Sequence, residues 1–124
     1  MQAARKSFVI MSINSRAKGA RGERLFRDLL KSHGFSARRG QQYSGSPDSP
    51  DVVSDMVDIH WEVKFVENLN LAAAYEQAKT DHKEGTIPIV AHKKSRGDWM
   101  VTLDANHFIE IYKAWKTAIK HTKN

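Results

Sequence analysis

Two residues of opposite charge stand two positions apart in the segment 59–65, where they could act on one substrate atom. With a strand's period of two, one face of this segment carries Ile59, Trp61, Val63 and Phe65. The other face carries His60, Glu62 and Lys64. Because residues two apart on a strand lie roughly 6–7 Å from each other, Glu62 and Lys64 can reach one site above the sheet. We therefore predict a half-buried strand with a carboxylate and an ammonium group on its polar face.

A divalent metal ion at Glu62 would need a second carboxylate, and two aspartates precede the strand. Asp58 lies on the same face, but four residues along a strand span about 13 Å, too far to share one ion. Asp51 fits better, because residues 51–53 can form a strand that ends in a turn at 55–56. Antiparallel pairing then brings Asp51 opposite Glu62. Such a site, with hard oxygen ligands, is the kind that supports metal-assisted phosphodiester hydrolysis.

The ordered residues Pro50-Asp51 and Glu62-Val63-Lys64 resemble the motif of the PD-(D/E)xK nuclease superfamily. The resemblance implies that Asp51, Glu62 and the Val63 carbonyl hold Mg²⁺, for which Mn²⁺ would substitute. It also implies that Lys64 positions the attacking water or stabilises charge on the phosphate. For Glu62 and Lys64 taken alone, a solvated surface pair is the alternative interpretation. Other features of the sequence are needed to distinguish it from a catalytic pair.

The composition favours one basic globular domain. The 124 residues suffice for a single core, and twenty Lys and Arg against fourteen Asp and Glu give a net charge of +6. That charge suits nucleic acid, although other soluble basic proteins share it. The absence of cysteine excludes disulfides, thiolate zinc sites and cysteine nucleophiles. We also expect no membrane span and no nucleotide cofactor, because the long apolar run and the glycine-rich phosphate motifs are missing.

The first helix is predicted from Arg16 to His33, after a flexible or loosely docked arm at residues 1–15. Ser15 is its predicted N-cap, and Gly34 ends it. Its apolar stripe consists of Leu25, Phe26, Leu29 and Leu30. Glu23 lies close to this stripe, and its simplest role is an ion pair with an arginine one turn away.

The order of these features resembles the archaeal Holliday junction resolvase family and its phage relatives. The resemblance covers about Arg16 to Leu103, and it rests on short matches: Lys18-Gly19-Ala20, Glu23-Arg24, Leu29-Leu30, His33-Gly34-Phe35, Arg39, Ser44-Gly45-Ser46, Pro50-Asp51-Val52-Val53, Trp61-Glu62-Val63-Lys64, Glu76-Gln77-Ala78 and Ile87–Val90. It implies that Glu23 points into the metal site and binds metal directly or through water. It also implies that Arg39 begins a strand near the DNA.

Two further site residues follow from the resemblance. The segment from Gly40 to Ser49 is rich in Gly, Ser and Gln, which predicts a mobile loop or an ordinary linker. In the resembled family a serine-containing loop at this place closes over the DNA backbone near the scissile bond. Ser44 matches that serine best, and Ser46 is the alternative. Gln77 either helps to orient the active-site lysine or water, or is a surface glutamine.

The remaining elements complete an α/β domain. In chain order we predict a helix over 71–83, strands over 87–92 and 99–103, and a helix over 105–120. Asn68 or Asn70 caps the first of these helices, and Asp104 caps the second. The last helix has an aromatic stripe that either packs on the domain or forms part of a dimer surface: Phe108, Ile111, Tyr112, Trp115 and Ile119. The nuclease domain thus covers 16–120, with a mixed sheet of about five strands flanked by helices, and 121–124 form a tail.

Basic residues in two places are expected to contact DNA, together with Ser46 and Gln77. The first helix and the strand after it carry Lys18, Arg21, Arg38 and Arg39. The tip of the last hairpin carries Lys93, Lys94 and Arg96, which either contact phosphate or are simply solvated.

The resemblance implies a Mg²⁺-dependent endodeoxyribonuclease that resolves four-way DNA junctions by paired phosphodiester hydrolysis. Symmetric cutting of two strands implies a two-fold homodimer. We expect a cytoplasmic protein, in the host cytoplasm if it is phage-encoded. Two alternatives stay open: a related nuclease that acts on other DNA, and a non-catalytic DNA-binding module with structural carboxylates. Three convergent negative charges argue against the binding module, because they oppose phosphate binding.

Overall fold

The computed structural model describes residues 2–40 and 50–122, with side chains from residue 17 onward. Within these ranges, three helices and five strands follow in the order α1 (Gln2–Ser32), β1 (Ala37–Arg39), β2 (Val52–Ser54), β3 (Ile59–Phe65), α2 (Leu71–Asp81), β4 (Ile87–Lys93), β5 (Met100–Thr102) and α3 (Ala105–Thr122). The five strands form one sheet in chain order. The predicted α/β fold with a mixed sheet of five strands and flanking helices is confirmed.

The strands β3 and β4 are the centre of the sheet. They pair in parallel over seven residues, from Ile59 opposite Ile87 to Phe65 opposite Lys93, while the other neighbouring strands pair antiparallel. A parallel pair needs a crossover connection, which α2 supplies. The result is a central strand, β3, with a helix on each of its faces.

The helix α1 covers the face of β3 that carries its odd-numbered residues. Phe26 packs edge-on against Trp61, with ring centroids 4.7 Å apart, and lies 5.1 Å from the ring of Trp99. Gly22 allows the close approach, because a Cβ atom there would lie 2.5 Å from the Cβ of Phe65. This packing fixes the next residue on α1, Glu23, beside the strand.

The C-terminal end of α1 follows from the sequence, whereas its start does not. Gly34 has a φ of 93°, and Gly34 and Phe35 donate backbone hydrogen bonds to the carbonyls of Lys31 and Leu30. These two bonds form a Schellman motif, which requires a left-handed residue and explains the glycine. The predicted start at Arg16 with a Ser15 cap is wrong, since α1 begins at Gln2.

The helix α2 covers the second face of the sheet, where Ala74 and Ala78 pack with Val90. Asn70 caps this helix by accepting a hydrogen bond from the Ala73 backbone N–H at 3.1 Å. The predicted alternation along β3 is present, but the prediction that only one face of this strand is buried is wrong, because both faces are covered. Glu62 is only 3% exposed, because the polar face of β3 lies beneath α2 and not in solvent.

The helix α3 begins as predicted after Asp104, whose carboxylate accepts a hydrogen bond from the Asn106 backbone N–H at 2.8 Å. It ends at Thr122 instead of Lys120. None of its residues 105–122, all of them described, is buried. The first of the two expectations for its aromatic stripe, packing on the domain, is therefore not met. Within the described residues, none of the helices is long and apolar enough to cross a bilayer.

Candidate active site

The register between β2 and β3 places the two central carboxylates side by side. Val52 pairs with Trp61, so that the preceding Asp51 lies opposite Glu62, as the sequence predicts. The Asp51 backbone N–H donates to the Trp61 carbonyl at 2.9 Å and continues the pairing by one residue. Residues directly opposite on antiparallel strands point to the same face. Both carboxylates therefore lie on the α2 face of the sheet.

Beyond the end of β2, the Asp51 side chain accepts a hydrogen bond that a paired strand would otherwise accept. Its Oδ2 accepts a hydrogen bond from the Val63 backbone N–H at 2.8 Å. This contact satisfies a buried backbone donor that the short strand β2 does not reach. The Val63 carbonyl points to the same edge of β3 as its N–H, because both groups of a strand residue face one neighbour. A carbonyl oxygen thus lies at the edge of β3 where Asp51 is bound.

A cavity of about 300 Å³ brings together five of the six residues predicted to act in catalysis or metal binding, all except Ser44. Its walls come from α1, the start of β2, the second half of β3 and α2. The lining residues are Lys18, Gly19, Glu23, Asp51, Glu62, Val63, Lys64, Phe65, Val66 and Gln77. Residues far apart in the chain therefore share one concave site in which a backbone carbonyl, carboxylates, an amide and ammonium groups converge.

The buried carboxyl groups resist ionisation. Burial raises the pKa of Asp51 to about 8, and the charge of Glu62 adds to this shift, while the hydrogen bond from Val63 opposes it. Burial also raises the pKa of Glu62, against the opposing effects of Lys64 and of a hydrogen bond to Asp51. Asp51 and Glu62 together thus favour a state with fewer than two negative charges, unless a cation other than Lys64 binds beside them.

Lys64 connects β3 to α2 above the carboxylates. Its Nζ lies 3.5 Å from Oε1 of Glu62 and donates to Oε1 of Gln77 at 3.4 Å. The ammonium group is partly exposed, so it can contact both the buried carboxylate and a molecule in the cavity. Gln77 is placed where it can orient Lys64, in keeping with the first of its two predicted roles, which stays a prediction.

Glu23 reaches the cavity from α1 but is engaged by a cation from β1. Its Oε1 accepts a hydrogen bond from Nε of Arg39 at 3.0 Å, and its side chain is 16% exposed. The partner is not an arginine one turn away on the same helix, as the simpler expectation had it. The pair links α1 to β1 across sixteen residues of sequence, which no local pattern reveals.

The donor set fits a hard divalent cation, although the site is not a complete preformed cage. Two carboxylates and a carbonyl oxygen are ligands that Mg²⁺ and Mn²⁺ accept. Among the described residues, no group of three acidic or histidine side chains is spaced to hold one ion. The geometry agrees with this, because Glu23 is paired with Arg39. Asp51, Glu62 and the Val63 carbonyl are thus the groups that could hold such an ion, with Glu23 at the margin of the site.

The predicted DNA-contacting residues are not all gathered at the cavity. Lys18 lines it, with Nζ 5.3 Å above the ring of Phe65, and Arg21 lies 5.7 Å from the same ring. Arg38 is exposed on β1. Ser44 and Ser46 fall outside the described residues.

At the tip of the β4–β5 hairpin, Lys94 and Arg96 are exposed, whereas Lys93 is engaged within the turn. Its Nζ donates to the Gly97 carbonyl at 2.5 Å and to the Lys94 carbonyl at 3.3 Å. Lys93 therefore helps to close the hairpin, and Lys94 and Arg96 are the more available cations.

Glu67, which connects this hairpin to α1, is not among the residues predicted from the sequence. Its carboxylate accepts hydrogen bonds from the backbone N–H and the hydroxyl of Ser95, and these bonds lower its pKa. The same carboxylate lies 3.8 Å from Nζ of Lys18. Glu67 and Ser95 are separated by 28 residues, so no periodicity in the sequence indicates their contact.

The comparison with known proteins identifies a solved structure to which the chain is similar. No protein-family model matches the sequence, and no curated protein matches it. Among solved structures, the chain is similar to Hjc of Archaeoglobus fulgidus, a Holliday junction resolvase from an archaeal hyperthermophile. The two sequences are 33% identical over 69% of this chain and 72% of that chain, with a TM-score of 0.54.

Proposed function

Because the chain belongs to the archaeal Holliday junction resolvase family, we propose that it is a metal-dependent endonuclease that cuts four-way DNA junctions. Fold membership alone would not carry this proposal, since one fold can host unrelated functions. The observation that carries it is the convergence of Asp51, Glu62, the Val63 carbonyl and Lys64 in one cavity. These are the group types that metal-assisted phosphodiester hydrolysis needs.

Asp51 and Glu62, with the Val63 carbonyl, would hold Mg²⁺ or Mn²⁺. When bound, such an ion supplies charge stabilisation for the phosphoryl transition state and acidifies a bound water molecule. The raised pKa values of both carboxyl groups support this assignment, because a cation removes the repulsion that keeps the pair from full ionisation.

The protein's other groups act on the substrate and on each other. The Lys64 ammonium orients the attacking water or stabilises negative charge on the phosphate, and Gln77 holds the lysine in place. Glu23 acts at the margin of the metal site, directly or through water. Arg39, which is 41% exposed, lies beside it and can turn to a DNA phosphate.

The family and the positive net charge of the chain both support branched DNA as the substrate. A net charge of +6 and the exposed cations of β1 and the β4–β5 hairpin suit a large phosphate surface. A four-way junction offers two symmetry-related strands, so its resolution by paired cuts calls for two active sites. A homodimer with two-fold symmetry provides them.

The decisive experiment compares a synthetic four-way junction with a linear duplex of the same sequence. We expect paired cuts near the branch point in Mg²⁺ or Mn²⁺, and binding without cutting in Ca²⁺. Glu62→Gln should abolish cutting, while Asp58→Asn serves as a matched control because Asp58 is exposed and lies outside the cavity.

Three other results would contradict the proposal in different ways. Equal cutting of junction and duplex would leave a nuclease but not a resolvase. Junction binding without cutting in any divalent metal would favour a non-catalytic binding module. Full activity of Glu62→Gln would overturn the site assignment.

A further inference from the structure

Glu67 lies where three parts of the molecule meet at one edge of the sheet. It comes two residues after the end of β3, and because β3 and β4 run in parallel, the turn after β4 lies at the same edge. The Val66 backbone N–H donates to the Lys93 carbonyl at 3.2 Å, which continues the pairing of the two strands up to the residue before Glu67. Glu67 is therefore placed beside residues 94–97 of the β4–β5 turn, which we term the hairpin tip.

Glu67 holds the hairpin tip from outside, whereas Lys93 holds it from within. The Glu67 carboxylate accepts hydrogen bonds from the Ser95 backbone N–H at 2.9 Å and from the Ser95 hydroxyl. Hydrogen bonds to an ionised acceptor are stronger than those between neutral groups. The contacts of the Lys93 ammonium with the Lys94 and Gly97 carbonyls fix the shape of the turn. The bonds to Glu67 instead fix where the turn lies relative to the end of β3.

The same carboxylate connects the hairpin tip to the active-site cavity through Lys18. The Lys18 Nζ lies 3.8 Å from Oε1 of Glu67, and Lys18 lines the cavity that contains the central carboxylates. Glu67 also lines a second cavity, of about 510 Å³, whose other lining residues are Lys94, Ser95, Arg96 and Gly97. Glu67 thus links the rim of the active site to the two exposed cations of the hairpin tip.

The negative charge of Glu67 does not serve DNA affinity. Hydrogen bonds from Ser95, and then the nearby charges of Lys18 and Lys94, lower the pKa of Glu67, so that its carboxylate is ionised at neutral pH. An anion at this position repels DNA phosphates and offsets part of the attraction exerted by the cations around it. Its contacts with Ser95 and Lys18 offer a different role, since they order a turn that carries cations.

From these contacts we propose that Glu67 is a positioning residue of the nuclease: it holds the hairpin tip against α1, so that Lys94 and Arg96 contact the DNA backbone at a fixed distance from the active-site cavity. The inference rests on the proposed function. Because a misplacement of about 1 Å can slow a reaction about 100-fold, this anchoring acts on the rate and the position of cutting. Affinity for DNA is set by the cations, and Glu67 lowers it.

The first test needs no DNA. Trypsin cleaves after Lys94 and Arg96, and exposed loop tips are the preferred sites of such nicking. Glu67→Ala should raise the rate of nicking at the hairpin tip about tenfold, because both bonds to Ser95 are lost. Glu67→Gln keeps an oxygen that can accept these bonds and should stay within about threefold of wild type.

Glu84→Ala is the matched control for this test. Glu84 is exposed and precedes β4, so it lies at the opposite edge of the sheet from the hairpin tip. The variant loses the same charge as Glu67→Ala, and it should be nicked at the wild-type rate.

The second test separates DNA affinity from cutting. In Ca²⁺ and at low salt, Glu67→Ala and Glu67→Gln should both bind a labelled four-way junction about threefold more tightly than wild type, because each removes a negative charge. In Mg²⁺ and at saturating enzyme, Glu67→Ala should cut about tenfold more slowly, with cuts spread over neighbouring phosphates. Glu67→Gln should keep the wild-type cut position and a rate within about threefold of wild type. A change that merely damaged the fold would lower binding and cutting together.

Several results would overturn the inference while leaving the proposed function in place, provided that wild type cuts the junction. Unchanged nicking in Glu67→Ala would mean that the hairpin tip is held without Glu67. Faster nicking with wild-type cutting would reduce Glu67 to a structural contact. Weaker junction binding by Glu67→Gln would assign the carboxylate a favourable contact with DNA. A wild-type protein that cuts no DNA in Mg²⁺ or Mn²⁺ overturns the proposed function, and the inference falls with it.

Discussion

Replacing Asp51 by asparagine should make the metal-free protein more stable at alkaline pH, although it removes a central residue of the site. The carboxyl group is 5% exposed and has a pKa raised from 3.8 to about 8, first by burial and then by the charge of Glu62. Asparagine keeps an oxygen for the hydrogen bond from Val63, which measures 2.8 Å in the wild type. It carries no charge at any pH.

The direction of the pH effect follows from the raised pKa. Between pH 3.8 and about 8 the folded state keeps the Asp51 proton, while the unfolded chain releases it. The stability associated with this group is therefore complete below pH 3.8, declines as the pH rises, and is lost above about 8. Four pKa units at about 1.4 kcal/mol each set an upper limit of about 6 kcal/mol. Local relaxation and water entry reduce this, and we expect about 2–4 kcal/mol.

The assay is urea unfolding in EDTA at pH 5.5 and pH 8.5. Wild type should lose about 1–2 kcal/mol more than Asp51→Asn between these two pH values, because the interval from pH 5.5 to about 8 covers only part of the range over which this stability declines. That loss is measurable against the 5–15 kcal/mol typical of a domain. Saturating Mg²⁺ should restore wild type at pH 8.5, by about 3 kcal/mol at a hundred times its dissociation constant, and should not stabilise the variant.

Asp58→Asn is the matched control for this prediction, because it makes the same chemical change at an exposed position outside the cavity. It should follow wild type at both pH values and in Mg²⁺. The reasoning is refuted if Asp51→Asn and wild type lose the same stability between pH 5.5 and 8.5. It is also refuted if Mg²⁺ stabilises both proteins equally.

Three further predictions concern individual cations. Lys64→Ala should slow junction cutting by about 1,000-fold while junction binding in Ca²⁺, measured by gel shift, stays within about threefold, because its contribution is made in the transition state; a parallel loss of binding would contradict this. Arg39→Ala should raise the affinity of the DNA-free protein for Mn²⁺ several-fold by releasing Glu23, and isothermal titration should show no such gain for the neighbouring, exposed Arg38→Ala. Arg96→Ala should reduce the slope of log affinity against log salt by about 0.9 if it contacts one phosphate; an unchanged slope would make it a solvated surface residue.

Local sequence patterns determined several parts of this protein. Alternation along 59–65 defines β3, and the spacing to Asp51 defines its register, because a strand's period of two leaves few pairings that bury the apolar face. Gly34 marks the end of α1, since the Schellman motif needs a residue at positive φ. The caps at Asn70 and Asp104 act within three residues of sequence.

Other features were decided only by the tertiary structure. The period of β3 identifies a polar face but does not tell whether a helix covers it, so the burial of Glu62 by α2 and its raised pKa appear only in the fold. The pair between Glu23 and Arg39 joins two successive elements, α1 and β1, across sixteen positions and a turn. The aromatic stripe of α3 is a further example. Its amphipathic pattern predicts that the helix packs against another surface. The pattern does not identify that surface, because the hydrophobic effect is non-directional.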